Sequence, residues 1–153
     1  MKAEKTLRAR AIDLLSRREH SRRELERKLA PFAGSPEELT ELLDELAQRA
    51  WQSDERAAAM LARTRGQKYG SLRLRQELRE KGIASEAIDA ALAGQDDAAT
   101  ARAAWERKFG ALPETPEARA RQIRFLAARG FSMDVIRTVL AGAADDLCDD
   151  GSG

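Results

Sequence analysis

Leucine, isoleucine and alanine recur at three- and four-residue steps along most of the chain, and serine, glycine and proline punctuate the runs. Ala11, Leu14 and Leu15 share one face of a helix expected from about Thr6 to Arg18. Ser21 is the expected cap of a second helix carrying Leu25 and Leu29, one turn apart. Ser35-Pro36, a cap followed by a first-turn proline, opens a third with Leu39, Leu42, Leu43 and Leu46. The same grammar continues. Ser53-Asp54 starts a helix through about Arg65, with Ala57, Leu61 and Thr64 inward, and Ser71 starts one with Leu74 and Leu78. Ser85 starts one with Ile88 and Leu92, and Asp97 to Phe109 carries Ala101, Trp105 and Phe109. Pro113 and Pro116 bracket the start of a helix with Ile123, Leu126 and Ala127. Ser132 caps the last, with Ile136 and Leu140, expected to end at Gly142. Strand formers are scarce and no Asn-Gly or Gly-Gly hairpin dipeptide occurs, so the fold class is all-α.

These helices fall into three groups of three. Leu78, Gly82, Ile83, Ile88, Leu92 and Gly94 match Leu126, Gly130, Phe131, Ile136, Leu140 and Gly142, and Ala57 and Leu61 match Trp105 and Phe109, all at one offset. Leu25 and Leu29 align with Leu74 and Leu78 one residue out of that step. The domain reading is therefore three tandem three-helix repeats, 1–50, 51–95 and 96–142, followed by an acidic tail, 143–153. Each group is too small to be stable alone, so neighbours are expected to support one another. If the units stack end to end, the array reaches roughly 70 Å.

Composition narrows the function. Charged residues make up 35% of the 153, yet the net charge is only +1. That balance hides alternating blocks: residues 1–30 sum to +5, 63–82 to +5 and 101–129 to +4, with acidic stretches between. Two readings stay open, an ordinary solvated helix surface with Glu–Arg pairing or a basic stripe at repeat spacing. Most of the cations are arginine, which grips carboxylate and phosphate bidentately. No apolar run is long enough to span a membrane, and the first residues lack a signal-peptide core. One cysteine, Cys148, excludes an internal disulfide framework, and one histidine, His20, excludes most triads and His-based metal sites. His20 reads as a cap or surface residue. No nucleotide-binding or nucleophile motif is present, so neither an enzyme nor a cofactor is expected. Asp145, Asp146, Asp149 and Asp150 read as a free solvated tail, and Trp51 as packing between units. Tyr69, in an Arg/Lys/Gly-rich turn, reads equally as core or as a contact residue.

Several of these segments together resemble the RecX family. They are Ser53-Asp-Glu-Arg56, Arg63-x-Arg65-x-x-x-Tyr69-Gly70, Arg73-x-Arg75-Gln-Glu-Leu78, Lys81-Gly-Ile83, and Arg119-x-Arg-Gln-Ile-Arg-Phe-Leu126 with Arg129-Gly-Phe131. The opening Leu14-Leu15-Ser-Arg-Arg-Glu-His-Ser21 is similar to that family's first repeat, and the resemblance spans roughly residues 6–142. Ala57 stands where the family often has Phe, and Arg121 where it often has Lys. The resemblance implies a curved, elongated array of three-helix repeats. It also implies a bacterial cytoplasmic regulator, monomeric, that binds the groove of the RecA filament on single-stranded DNA and suppresses its ATPase, strand-exchange and co-protease activities. The expected partner-binding set is Arg63, Arg65, Lys68, Tyr69, Arg73, Arg75 and Lys81, with Arg119, Arg121, Arg124 and Arg129. The alternative is an autonomous DNA-binding module of helix-turn-helix type, for which a net +1 allows only weak, salt-dependent contact.

Overall fold

A computed structural model describes residues 4–149, with side chains described through Gly142. Among these residues the chain forms nine α-helices. They are α1 (Leu7–Arg17), α2 (Arg22–Leu29), α3 (Pro36–Gln48), α4 (Asp54–Arg65), α5 (Ser71–Glu80), α6 (Ser85–Leu92), α7 (Asp97–Lys108), α8 (Pro116–Ala128) and α9 (Met133–Asp149), with a 3-10 turn at Ala30–Phe32. The fold is an all-α helical repeat. The caps act as the sequence suggests. Ser21 accepts from the Glu24 amide while the Glu24 carboxylate accepts from the Ser21 amide, a closed capping box. Ser35 and Thr115 each cap a helix with proline in its first turn.

Two compact units are present: Met1–Leu61 with Glu77–Ala91, and Ala62–Gln76 with Leu92–Gly153. They cut across the sequence repeats, since α4 and α5 each give residues to both. The first unit centres on Leu7, Ala11, Leu25, Leu29, Leu39, Leu42, Leu43 and Leu46, flanked by Leu14 and Leu15. The second centres on Ala101, Trp105, Leu126, Phe131, Ile136, Val139 and Leu140, with Phe109 packed edge-on to Phe125 at 5.4 Å between centroids.

Several details depart from the sequence reading. Thr64 and Ala127 are exposed. On α8 the inward pair is Gln122 and Leu126, four residues apart, and Gln122 accepts from the Trp105 indole at 2.8 Å and donates to the Ala111 carbonyl at 3.0 Å. Trp51 is exposed, with the guanidinium groups of Arg8 and Arg49 over its ring at 5.5 and 5.3 Å. His20 is 1% exposed rather than a surface residue. α9 continues past Gly142 to Asp149, and residues 150–153 of the expected tail lie outside the described residues.

Candidate cationic interface

The same joint is built once in each unit. In the first, the backbone N–H of Arg22, at the start of α2, donates to Asp54 at 2.8 Å. The Gln52 amide donates to the carbonyl of His20 and to Asp54. The Ser21 hydroxyl donates to the Lys81 carbonyl at 2.7 Å. In the second, the N–H of Ser71, at the start of α5, donates to Asp97 at 3.1 Å. The Gln95 amide donates to the carbonyls of Gly66 and Tyr69 at 2.8 and 3.2 Å, and the N–H of Gly70 to the Arg129 carbonyl at 2.8 Å. Gln52-x-Asp54 and Gln95-x-Asp97 are thus equivalent clamps. In each, a carboxylate at the head of one repeat caps the middle helix of the repeat before it. The joint makes His20 and Tyr69 structural counterparts, each one residue ahead of the middle helix's cap.

The two positions serve opposite ends. In the first unit the His20 ring nitrogens lie 3.0 Å from the Arg18 carbonyl (Nδ1) and 3.2 Å from Lys28 Nζ (Nε2). A neutral ring with its proton on Nδ1 satisfies both. Burial, with the nearby Arg18 and Lys28 charges, holds its pKa below the ordinary value despite the Arg18 carbonyl. Beside it Glu24 binds Arg18 at 2.7 Å and Lys81 at 3.2 Å. Burial pushes that carboxyl up, but the hydrogen bonds from Arg18, the Ser21 amide and Lys81, with the charge of Lys81, outweigh it and bring the pKa down to about 2. Lys81, expected in the binding set, therefore braces the first unit.

In the second unit the aromatic ring at this position is ringed by cations. The guanidinium groups of Arg73, Arg65 and Arg129 lie 4.1, 4.5 and 5.3 Å from the Tyr69 centroid. Arg129 also lies 5.1 Å from Phe125, and Lys108 Nζ 5.9 Å. Lys68, Arg107, Lys108 and Arg129 then line a cavity of about 190 Å3 beside Phe125, and no carboxylate is among its described lining residues. Two glycines permit the arrangement. Gly130 has φ +93°, and a Cβ there would sit 2.3 Å from Arg73 Cβ; one on Gly70 would sit 2.4 Å from the Gly130 carbonyl oxygen.

Of the expected residues the structure gathers Arg65, Lys68, Tyr69, Arg73 and Arg129. Arg63 is exposed on the last turn of α4, Arg75 is half-buried on α5, and Arg121 and Arg124 are exposed on α8. Arg119 lies by a separate cavity with Arg137 and Leu140. Sequence reasoning missed Gln95 and Asp97, which hold the turn, and Arg107 and Lys108, which extend the charge. The last two stand in the third basic block but on the first helix of its repeat.

Comparison with known proteins gives the family. Models described as the second and third three-helix domains of RecX match residues 53–92 and 95–140. The regulatory protein RecX of Chromobacterium violaceum is 58% identical over 142 residues, covering 93% of each chain. The chain belongs to the RecX family. A RecX from Neisseria meningitidis serogroup A is 45% identical over 99% of both chains. The crystal structure of RecX from Lactobacillus salivarius superposes with a TM-score of 0.76 over 90% of this chain and 94% of that one, at 21% identity, and so shares the fold. A second RecX crystal structure has a TM-score of 0.73 at 26% identity, covering 87% of this chain and 72% of that one. These relatives are regulatory proteins, and a regulatory role follows for this chain. Among the described residues no helix is long and apolar enough to cross a membrane.

Proposed function

We propose that this chain is a cytoplasmic, non-enzymatic regulator that binds in the groove of the RecA–DNA filament and lowers its ATPase, recombinase and co-protease activities. Membership of the RecX family supports the reading. The observation that carries it is the set of guanidinium groups around Tyr69, continued by Lys68, Arg107 and Lys108. Such a surface suits acidic protein groups or the phosphates running through a filament, because a guanidinium meets either with two parallel hydrogen bonds. Reversing Arg73 and Arg75 together to Glu is expected to weaken filament binding several-fold or more. Because Arg73 also packs on Gly130, the exposed pair Arg121→Glu with Arg124→Glu serves as a second variant. Unchanged inhibition by both folded variants refutes the assignment. Direct DNA binding is the second reading, favoured by the cations beside Phe125. It requires a DNA complex tight enough to survive an increase from about 50 to 200 mM salt, which costs affinity in proportion to the number of phosphate contacts.

A further inference from the structure

The most basic stretch of the first repeat takes no part in that reading. Residues 1–30 carry a net +5, and the portion folded as α1, α2 and the following 3-10 turn borders a cleft of about 360 Å3. The apolar part of its lining is Leu14, Leu29 and Phe32. Leu29 is buried, but Phe32 remains 54% exposed. The polar part is cationic: Lys5, Arg10, Arg17 and Lys28. The one carboxylate among its described lining residues, Asp13, is bound by Lys5 at 2.5 Å. Among the described lining residues an exposed phenyl ring thus stands beside Arg10, Arg17 and Lys28, and the one carboxylate is already held by Lys5.

We infer that this cleft docks an acidic segment of a partner protein, with an aliphatic side chain of that segment seated on Phe32 and its carboxylates on Arg10, Arg17 and Lys28. Charge selects an anion, and the lining selects which kind. Nucleic acid binding of this sort needs open aromatic faces on which bases stack. Here the Arg10 guanidinium takes one face of Phe32, 3.8 Å from the centroid, which leaves the rest of the exposed ring open to a side chain but not both faces to stacked bases, and the remaining apolar groups are leucines. A leucine-sized group flanked by carboxylates matches both halves of the cleft, and arginine receives carboxylate in a planar fork. The site shares no residue with the surface around Tyr69 and goes beyond the filament reading.

The test is fluorescence anisotropy on the full chain with a short fluorescein-labelled peptide of alternating glutamates and leucines. A leucine-to-serine peptide and a labelled oligothymidine serve as comparisons. The leucine peptide is expected to bind, and the serine peptide to bind far more weakly. Phe32→Ser is expected to weaken binding about tenfold, roughly 1.4 kcal/mol. Arg10→Glu with Arg17→Glu is expected to abolish it, whereas Arg121→Glu with Arg124→Glu leaves it unchanged. Unaltered far-ultraviolet circular dichroism checks that each variant is folded. The inference is overturned if the peptide does not bind, if Phe32→Ser binds as the parent does, or if oligothymidine binds more tightly through the same residues. Loss of RecA inhibition by the Tyr69-cluster variants with peptide binding intact separates this site from the filament reading.

Discussion

Gly130 links the fold to the cationic cluster, and its replacement gives a quantitative test. Gly110 and Gly130 lie in the same unit, at φ +67° and +93°. Alanine in left-handed backbone costs about 1–2 kcal/mol at either place. The surroundings differ. A Cβ on Gly110 meets only the Glu106 carbonyl oxygen, at 3.3 Å, whereas one on Gly130 meets Arg73 Cβ at 2.3 Å and Arg73 N at 2.7 Å. Those two Arg73 atoms are fixed to the start of α5 and cannot swing aside, so the turn must separate from the helix at a further cost of about 1–3 kcal/mol. Gly130→Ala is therefore expected to cost about 2–5 kcal/mol and Gly110→Ala about 1–2. At a slope near 1–3 kcal/mol per molar urea, the extra loss at Gly130 moves the midpoint by about 1 M. Urea titration in a Trp51→Phe background, followed by fluorescence of buried Trp105, reads the second unit directly. Equal losses for the two variants would refute the close approach of Gly130 to Arg73 as the source of the difference. Gly130→Ala also moves Arg73 relative to Tyr69, so filament binding should fall where Gly110→Ala leaves it intact.

Gln122→Leu strands the Trp105 indole N–H and the Ala111 carbonyl; a loss of about 2–4 kcal/mol in urea titration is expected, and a neutral result would contradict the buried hydrogen bonds. Glu24 has a folded pKa of about 2 against an ordinary 4.5, so its stabilisation is full above pH 4.5 and lost as pH falls toward 2. That contribution is on the order of 3 kcal/mol, and Glu24→Gln should flatten this acid limb in pH-dependent unfolding. For His20 the folded ring takes up a proton less readily than the unfolded one, so stability declines as pH falls below 6.5; His20→Gln should show no loss over that window.

Helix positions were legible because leucine spacing and caps are local signals: Leu39 to Leu46, Ser35-Pro36 and the Ser21 cap all behave as read. Phase within a helix was less legible where the inner face is polar. Gln122 lies inward because the Trp105 indole needs an acceptor, and helical spacing alone favours Ala127. His20 was missed because part of its setting comes from the next repeat, where the Gln52 amide donates to its carbonyl. Part of the site was visible through the repeat, which brought Arg129 into consideration beside Tyr69 across sixty residues. Lys81 holds the position corresponding to Arg129, yet Glu24, a partner from another helix, draws it into the first unit. The Gln-x-Asp clamp escaped notice because Gln52 and Gln95 do not follow the main repeat step.

The most direct measurement is the single-stranded-DNA-dependent ATPase of a bacterial RecA titrated with this protein. The account predicts inhibition below one molecule per RecA, lost when the exposed and Tyr69-cluster arginines are reversed. No inhibition at any ratio, with helical circular dichroism intact, would contradict it and leave direct DNA binding as the function of the cationic surface.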